Sequence, residues 1–214
     1  MKYTLIYAVI ISSSLLSCKE TAKSNQEVAE SQLLQDANPS SIPKSWVDNR
    51  VEKAKKRLDG SEAGKVVWNA MEAMGGLNKW YGNGYLSFRF NYQPLDGSMP
   101  RDTYQTIDTW SNKARHRSVT DSNAIYGWDG KNAWVKAKDS TAFKYNLRFW
   151  ALTPLYLAAQ PLMLDGEGVN LELLPQVNYK DTSQDVVKVT FDSGTGDAPD
   201  DYYILYMDAK THLL

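Results

Sequence analysis

The stretch "AIYGWDGKNAWVKA", residues 124–137, decides the fold. Two arms rich in aromatic and β-branched side chains flank Asp129-Gly130. Such residues suit the pleated, half-buried surface of a strand, and Asp-Gly suits a type I′ turn whose twist matches paired strands. The segment therefore predicts an antiparallel hairpin, and its surroundings predict the sheet that holds it. Upstream, Leu86, Phe88, Phe90 and Tyr92 alternate with Ser87, Arg89 and Asn91, the period of a strand with one face buried. "PLDGSMPRD" (94–102) reads as a turn. "TYQTIDTWS" (103–111) and "ARHRSVT" (114–120) read as two further strands joined tightly through Ser111, Asn112 and Lys113. Downstream, strands are expected over 170–174, 186–191 and 202–207.

Helices precede these strands. Residues 45–58 carry mixed charge and a weak apolar period through Trp46, Val51 and Leu58. A better helix starts at Ser61-Glu62, because Ala63, Val67, Ala70 and Met74 recur at spacings of three and four on one face. Gly75-Gly76 ends it, since glycine accepts the left-handed conformation that closes a helix. Residues 77–81 read as a further turn that docks Trp80. "NLRFWALTPLYLAAQPLML" (146–164) is dense in large apolar groups and cut by Pro154 and Pro161. Proline interrupts both helices and central strands, so short helical turns lying across a sheet are expected here. They either fill the core or line an apolar cavity. "YYILYMDAKTHLL" (202–214) reads as a strand, a turn over 208–211 and the start of a returning strand, so a piece of a longer protein is expected.

The first residues concern location. Lys2 is followed by an uncharged apolar or hydroxylic run over 3–16, shorter than the ~20 residues a membrane-spanning helix needs. A basic start, a short apolar middle and small residues before a cleavage point describe a secretory signal peptide. Leu15-Leu16-Ser17-Cys18 resembles a bacterial lipobox, which implies a signal peptide over 1–17 and lipid attached to Cys18, the single cysteine of the 214 residues. Two alternatives stand beside lipidation: an ordinary residue of a cleaved signal peptide, or an intermolecular disulfide. Residues 18–44 are rich in Ser, Gln, Glu, Ala and Asn, the composition of a flexible tether. Lys19 stands where an inner-membrane retention signal would place Asp, which points to the outer membrane. Residues 45–214 hold all 7 tryptophans and suffice for one domain. Net charge is −1, from 24 basic and 25 acidic residues, without basic runs interleaved with aromatics, so nucleic-acid binding has no footprint. No repeat of solenoid or propeller period occurs.

Catalytic patterns are missing. His116 and His212 are far apart and lack carboxylate or cysteine at ligand spacing, so no metal site is expected. There is no G-x-S-x-G elbow or phosphate-binding loop, and Gly82-Asn83-Gly84 precedes a strand instead of opening a helix. The loop "DSGTGDAPDD" (192–201) concentrates aspartates, but its spacing does not fit a helix–loop–helix calcium site. Asp108, Asp121 and Glu167 can each be nominated for acid–base work, and nothing in the sequence selects a pair. Neither an enzyme nor a cofactor is expected.

A helix closed by Gly75-Gly76, a docked tryptophan, long amphipathic strands, "WSNKARHR" (110–117), the "YGWDGKNAWV" hairpin and a proline-cut apolar segment follow in order. This order, from about residue 61 onward, resembles the bacterial LolA-like proteins of outer-membrane lipoprotein sorting and their lipoprotein relatives. In them a strand bearing a basic residue precedes a "DG…W" hairpin; here Arg115 or Arg117 and Asp129-Gly130-Trp134 stand in those places. The resemblance implies an α+β fold. A curved antiparallel sheet forms an incomplete β-barrel, with N-terminal helices and short helical turns packed on its open side. It also implies binding of acyl chains, lipids or lipoproteins between sheet and helices. The cavity candidates are Phe88, Phe90, Trp110, Trp134, Trp150, Leu155 and Leu157, with Arg89 and Arg115 at the rim. Family carriers diffuse freely, whereas Cys18 implies a protein held at the envelope by its own lipid. Two further readings remain open: a structural or interaction lipoprotein with a filled core and no ligand, and an envelope enzyme of unrecognised type.

Overall fold

The computed structural model describes residues 42–139, 141–196 and 200–214. The lipobox, Cys18 and nearly all of the expected tether lie outside the described residues, as does Asp197 of the aspartate-rich loop. In chain order the elements are α1 (Lys44–Leu58), α2 (Glu62–Ala73), α3 (Leu77–Gly82), β1 (Tyr85–Tyr92), β2 (Arg101–Asp108), β3 (Ala114–Ser118), β4 (Ile125–Trp128) and β5 (Ala133–Lys136). Then follow α4 (Leu147–Ala158), β6 (Val169–Tyr179), β7 (Thr182–Phe191) and β8 (Tyr203–Asp208). The fold is α+β, with two antiparallel sheets ordered β1-β2-β3-β4-β5 and β6-β7-β8. Every strand pairs with its sequence neighbour, so short connections suffice within each sheet.

Local chemistry places the helices. Ser61 caps α2, its hydroxyl oxygen accepting the Gly64 N–H at 3.0 Å and so satisfying a donor the first turn leaves free. Gly64 lets α2 approach α1, because an added Cβ would lie 2.0 Å from the Leu58 carbonyl oxygen. The buried face of α2 carries Ala63, Val67, Ala70 and Met71. Met71 takes the core position expected of Met74, which is 39% exposed where the helix closes. Gly75 and Gly76 then take φ of 108° and 79°, and the Gly76 N–H reaches back to the Met71 carbonyl. In α3 the fully buried residues are Leu77 and Tyr81, with Trp80 partly covered beside them.

Two apolar clusters hold these layers together. The larger joins the inner faces of α1, α2 and α3 to Val187, Val189, Leu205 and Met207 of the second sheet. The smaller joins Ile107 and Ala114 of the first sheet to Leu155 and Ala159 at α4. Trp80 packs against both.

Three local features differ from the sequence expectation. First, α4 is one twelve-residue helix running through Pro154, not a set of short turns. Asn146 caps it by accepting the Phe149 N–H at 3.2 Å. Proline removes one helical hydrogen bond, a cost of about 3 kcal/mol. Burial of Ala151, Pro154 and Leu155 offsets it. Second, β6 continues past Leu174 to Tyr179. Pro175 is tolerated because β6 is an edge strand and the register shifts between Leu174 and Val177. Third, the β4–β5 hairpin forms, with Trp128 opposite Ala133, but its connection has four residues, 129–132. The Asp129 carboxylate accepts the N–H groups of Lys131 and Asn132 at 2.7 and 2.6 Å, and in that loop Gly130 alone has positive φ. These bonds hold the Asp129 pKa below its ordinary value.

The two-residue turn sits instead at Lys180-Asp181, between paired Tyr179 and Thr182, with φ of 48° and 63°. Neither residue is glycine, although a type I′ turn favours it at the second position. Asp181→Gly is expected to stabilise the protein by about 0.5–1 kcal/mol, the relief of left-handed strain less the extra freedom of the unfolded chain. Urea unfolding, followed by fluorescence, checks this as a rise in midpoint at unchanged slope.

Candidate functional site

α4 is apolar on more than one face, and that arrangement builds an apolar depression. One face carries Ala151 and Leu155, both fully buried. The neighbouring stripe of Phe149, Leu152 and Tyr156, at three- and four-residue spacing, borders a cleft of about 340 Å³. Met163, Val169 of β6, Phe191 of β7 and Tyr203 of β8 complete the apolar lining. Three rings form one surface: Tyr156 lies 6.1 Å from Phe191 and 5.5 Å from Tyr203, and those two are 6.0 Å apart, centroid to centroid. Asn112, Arg148, Thr153, Glu167, Thr195 and Asp201 supply its polar members. The Arg148 guanidinium lies over Trp128 at 3.9 Å. Burial pushes the Tyr156 phenol up to about 12, so it stays neutral at any ordinary pH. The volume falls within the ~300–1,000 Å³ range of small-molecule sites.

A second depression, about 590 Å³, lies between α1 and residues 165–167, and shares Gly166 and Glu167 with the first. Its α1 wall is the stripe Trp46, Asn49, Arg50, Lys53, Ala54 and Arg57; Trp110, Asp165 and Glu167 face it. Arg50 donates to the Trp110 carbonyl at 3.0 Å and to Asp165 at 3.4 Å, and its guanidinium lies 3.8 Å from the Tyr81 ring centroid. Burial, and next to it the Asp165 charge, push the Tyr81 phenol well above its ordinary value. Burial lowers the Arg57 guanidinium, opposed by Asp165 and Glu167.

The residues nominated from sequence are distributed more widely than expected. Leu155 lines the apolar cleft, and Trp110 lines the polar groove while meeting Tyr81 edge-on at 5.8 Å. Phe88 packs against the smaller core cluster. Phe90 and Trp150 are 6.2 Å apart in an aromatic cluster where Trp150 also meets Tyr92 and Tyr145. Trp134 lies over Gly127, where an added Cβ would approach its ring to 2.6 Å. Leu157 is 51% exposed. Arg89 makes a two-pronged contact with Asp102, at 2.9 and 2.8 Å, and Arg115 is an exposed residue of β3. The first sheet's inner face is therefore covered by α4 and aromatic packing, and the open apolar space lies at the second sheet. Phe149, Leu152, Tyr156 and Met163 lie in the segment 146–164, read as filling the core or lining an apolar cavity, but were not singled out, and Phe191 and Tyr203 were missed. Only the α4 stripe had a local signal, hidden by the interruption read at Pro154.

The nominated acids do not assemble. Asp108 accepts the Trp110 N–H and the Ser111 hydroxyl in the β2–β3 turn, and Asp121 accepts the Asn123 N–H beyond the other end of β3. Glu167 stands apart from both, on the wall shared by the two depressions. Asp192 accepts from Asn170 at 2.7 Å. Among the described residues no group of three or more His, Cys, Asp or Glu is placed to hold a metal ion, and no helix is long and apolar enough to cross a membrane.

His116 is fully buried outside both depressions, stacked 4.4 Å from Tyr126. Its Nε2 donates to the Ala151 carbonyl of α4 at 2.8 Å, while Nδ1 has no hydrogen-bond partner among the described residues. Burial lowers its pKa to about 4, outweighing the upward pull of the Ala151 bond. The unfolded chain, near 6.5, binds the proton more readily, so this contribution is complete above about pH 6.5 and is lost as pH falls towards 4. The loss amounts to roughly 3 kcal/mol. His116→Gln is expected to remove that part of the slope, read by denaturant unfolding between those pH values.

Compared with models of known protein families, with curated proteins and with solved structures, the chain finds no match.

Proposed function

We propose that this chain is a lipid-anchored protein of the bacterial envelope that holds an acyl chain, from a lipid or lipoprotein, in the cleft between α4 and the second sheet. The observation that carries the reading is the ring surface of Tyr156, Phe191 and Tyr203, facing space bordered by Leu152 and Met163. Acyl chains suit such a lining because each buried methylene contributes ~0.8 kcal/mol and no polar partner is required. In this reading the two sheets are parts of one incomplete barrel of LolA-like kind, with the helices on its open side. Cys18, lipidated, keeps the domain at the outer membrane on the tether of residues 18–44. The protein then acts as a stationary acceptor or lipid binder, not as a diffusing carrier.

A filled core without ligand is the competing reading, favoured by the close packing of Leu155 and Ala159 on the first sheet. Fluorescent fatty-acid titration and native mass spectrometry separate the two. The acyl-binding reading predicts saturable binding and co-purified lipid. Leu152→Trp, which fills the cleft, is expected to weaken binding about tenfold or more, the loss of roughly two methylenes' worth of contact. Its thermal unfolding should remain cooperative. A protein that is empty in the mass spectrum and silent to the dye overturns the reading.

A further inference from the structure

We propose that the cleft and the neighbouring groove form one site, whose ligand is an anionic amphiphile. The acyl tail lies against α4 and the second sheet, and a carboxylate or phosphate head lies between α1 and residues 165–167. This rests on the acyl-chain reading above and adds the head group to it.

The two depressions meet at Gly166 and Glu167, so a molecule leaving the apolar cleft over that wall enters the groove directly. There it meets cations. Arg50, Lys53 and Arg57 follow one another at three- and four-residue spacing, which puts them on one face of α1, and all three line the groove. Two carboxylates oppose them, but they are not equivalent. The Asp165 side chain is 10% exposed and already engaged by Arg50. Glu167 is exposed on the shared wall.

Arg57 is held by backbone groups and feels the charges of Asp165 and Glu167. Its guanidinium donates to the backbone carbonyls of Leu164 and Val169; among the described residues it makes no ion pair and its buried Nε has no hydrogen-bond partner. Lys53 is exposed and makes no ion pair among the described residues. A half-covered groove with surplus positive charge favours an anion, because charge-assisted hydrogen bonds gain strength where water is thinned out. Trp46, 60% exposed, offers apolar surface beside that charge. A wholly polar anion would leave the apolar cleft empty, and a neutral lipid would leave the charge of Lys53 unused. An amphiphile with a negative head uses both halves.

Calorimetric titration of the full-length chain with dodecyl phosphate, dodecanoate and dodecanol, each below its aggregation limit, tests this. Both anions are expected to bind about tenfold tighter than the alcohol, the increment of one charge-assisted hydrogen bond. That ratio should shrink in high salt and in Lys53→Glu, and grow in Glu167→Gln, which removes a like charge. Tighter binding of the phosphate assigns the site to a phosphorylated lipid; tighter binding of the carboxylate assigns it to a free fatty acid. Dodecanol binding as tightly as both anions, or a ratio indifferent to both substitutions, overturns the head-group site and leaves the acyl-chain reading standing. No binding by any of the three overturns both.

Discussion

A helix that is apolar on several faces must be covered on several sides, and α4 is such a helix. Leu155, with Ala159 just beyond the helix, packs against Ile107 and Ala114 of the first sheet, and the His116 bond to the Ala151 carbonyl fixes the helix there. Its Phe149, Leu152 and Tyr156 stripe is turned towards the second sheet, which covers it incompletely. The position of α4 thus decides both what is core and what is cleft. The N-terminal helices supply the rest of the frame by packing on β7 and β8, strands more than a hundred residues downstream of them.

The elements were legible wherever period and local chemistry agreed. The alternation through Leu86, Phe88 and Phe90 gives β1, Ser61 caps α2, and the "YGWDGKNAWV" hairpin forms. The departures share a cause, which is tertiary context outweighing a local rule. Pro154 sits inside α4 because burial of Ala151, Pro154 and Leu155 retains the helix, and Pro175 sits in β6 because an edge strand does not need its N–H. Asp129 uses its carboxylate to tie a four-residue loop where an Asp-Gly pair suggested two.

The site was much less legible. Aromatic richness pointed to the first sheet, but aromatic side chains are as good at filling a core as at lining a cavity. Phe90 and Trp150 fill, whereas Phe191 and Tyr203 line. The cleft draws on α4, on residues around 163–169, and on β7 and β8, so its members share no spacing that a sequence displays. Leu155 alone of the seven nominated apolar residues borders it, and Trp110 borders the polar groove. The groove had a helical signature in Arg50, Lys53 and Arg57, but its opposite wall combines Trp110 with residues 165–167, more than a hundred residues beyond α1.

The central claim is that the uncovered stripe of α4 and the second sheet together hold an acyl chain. Crystals grown with a fatty acid brominated at its terminal carbon locate the chain end directly by anomalous scattering. The claim predicts bromine between Leu152, Tyr156 and Phe191. Bromine found only against Phe88 and Phe90 on the first sheet, or only on the outer surface, would contradict it.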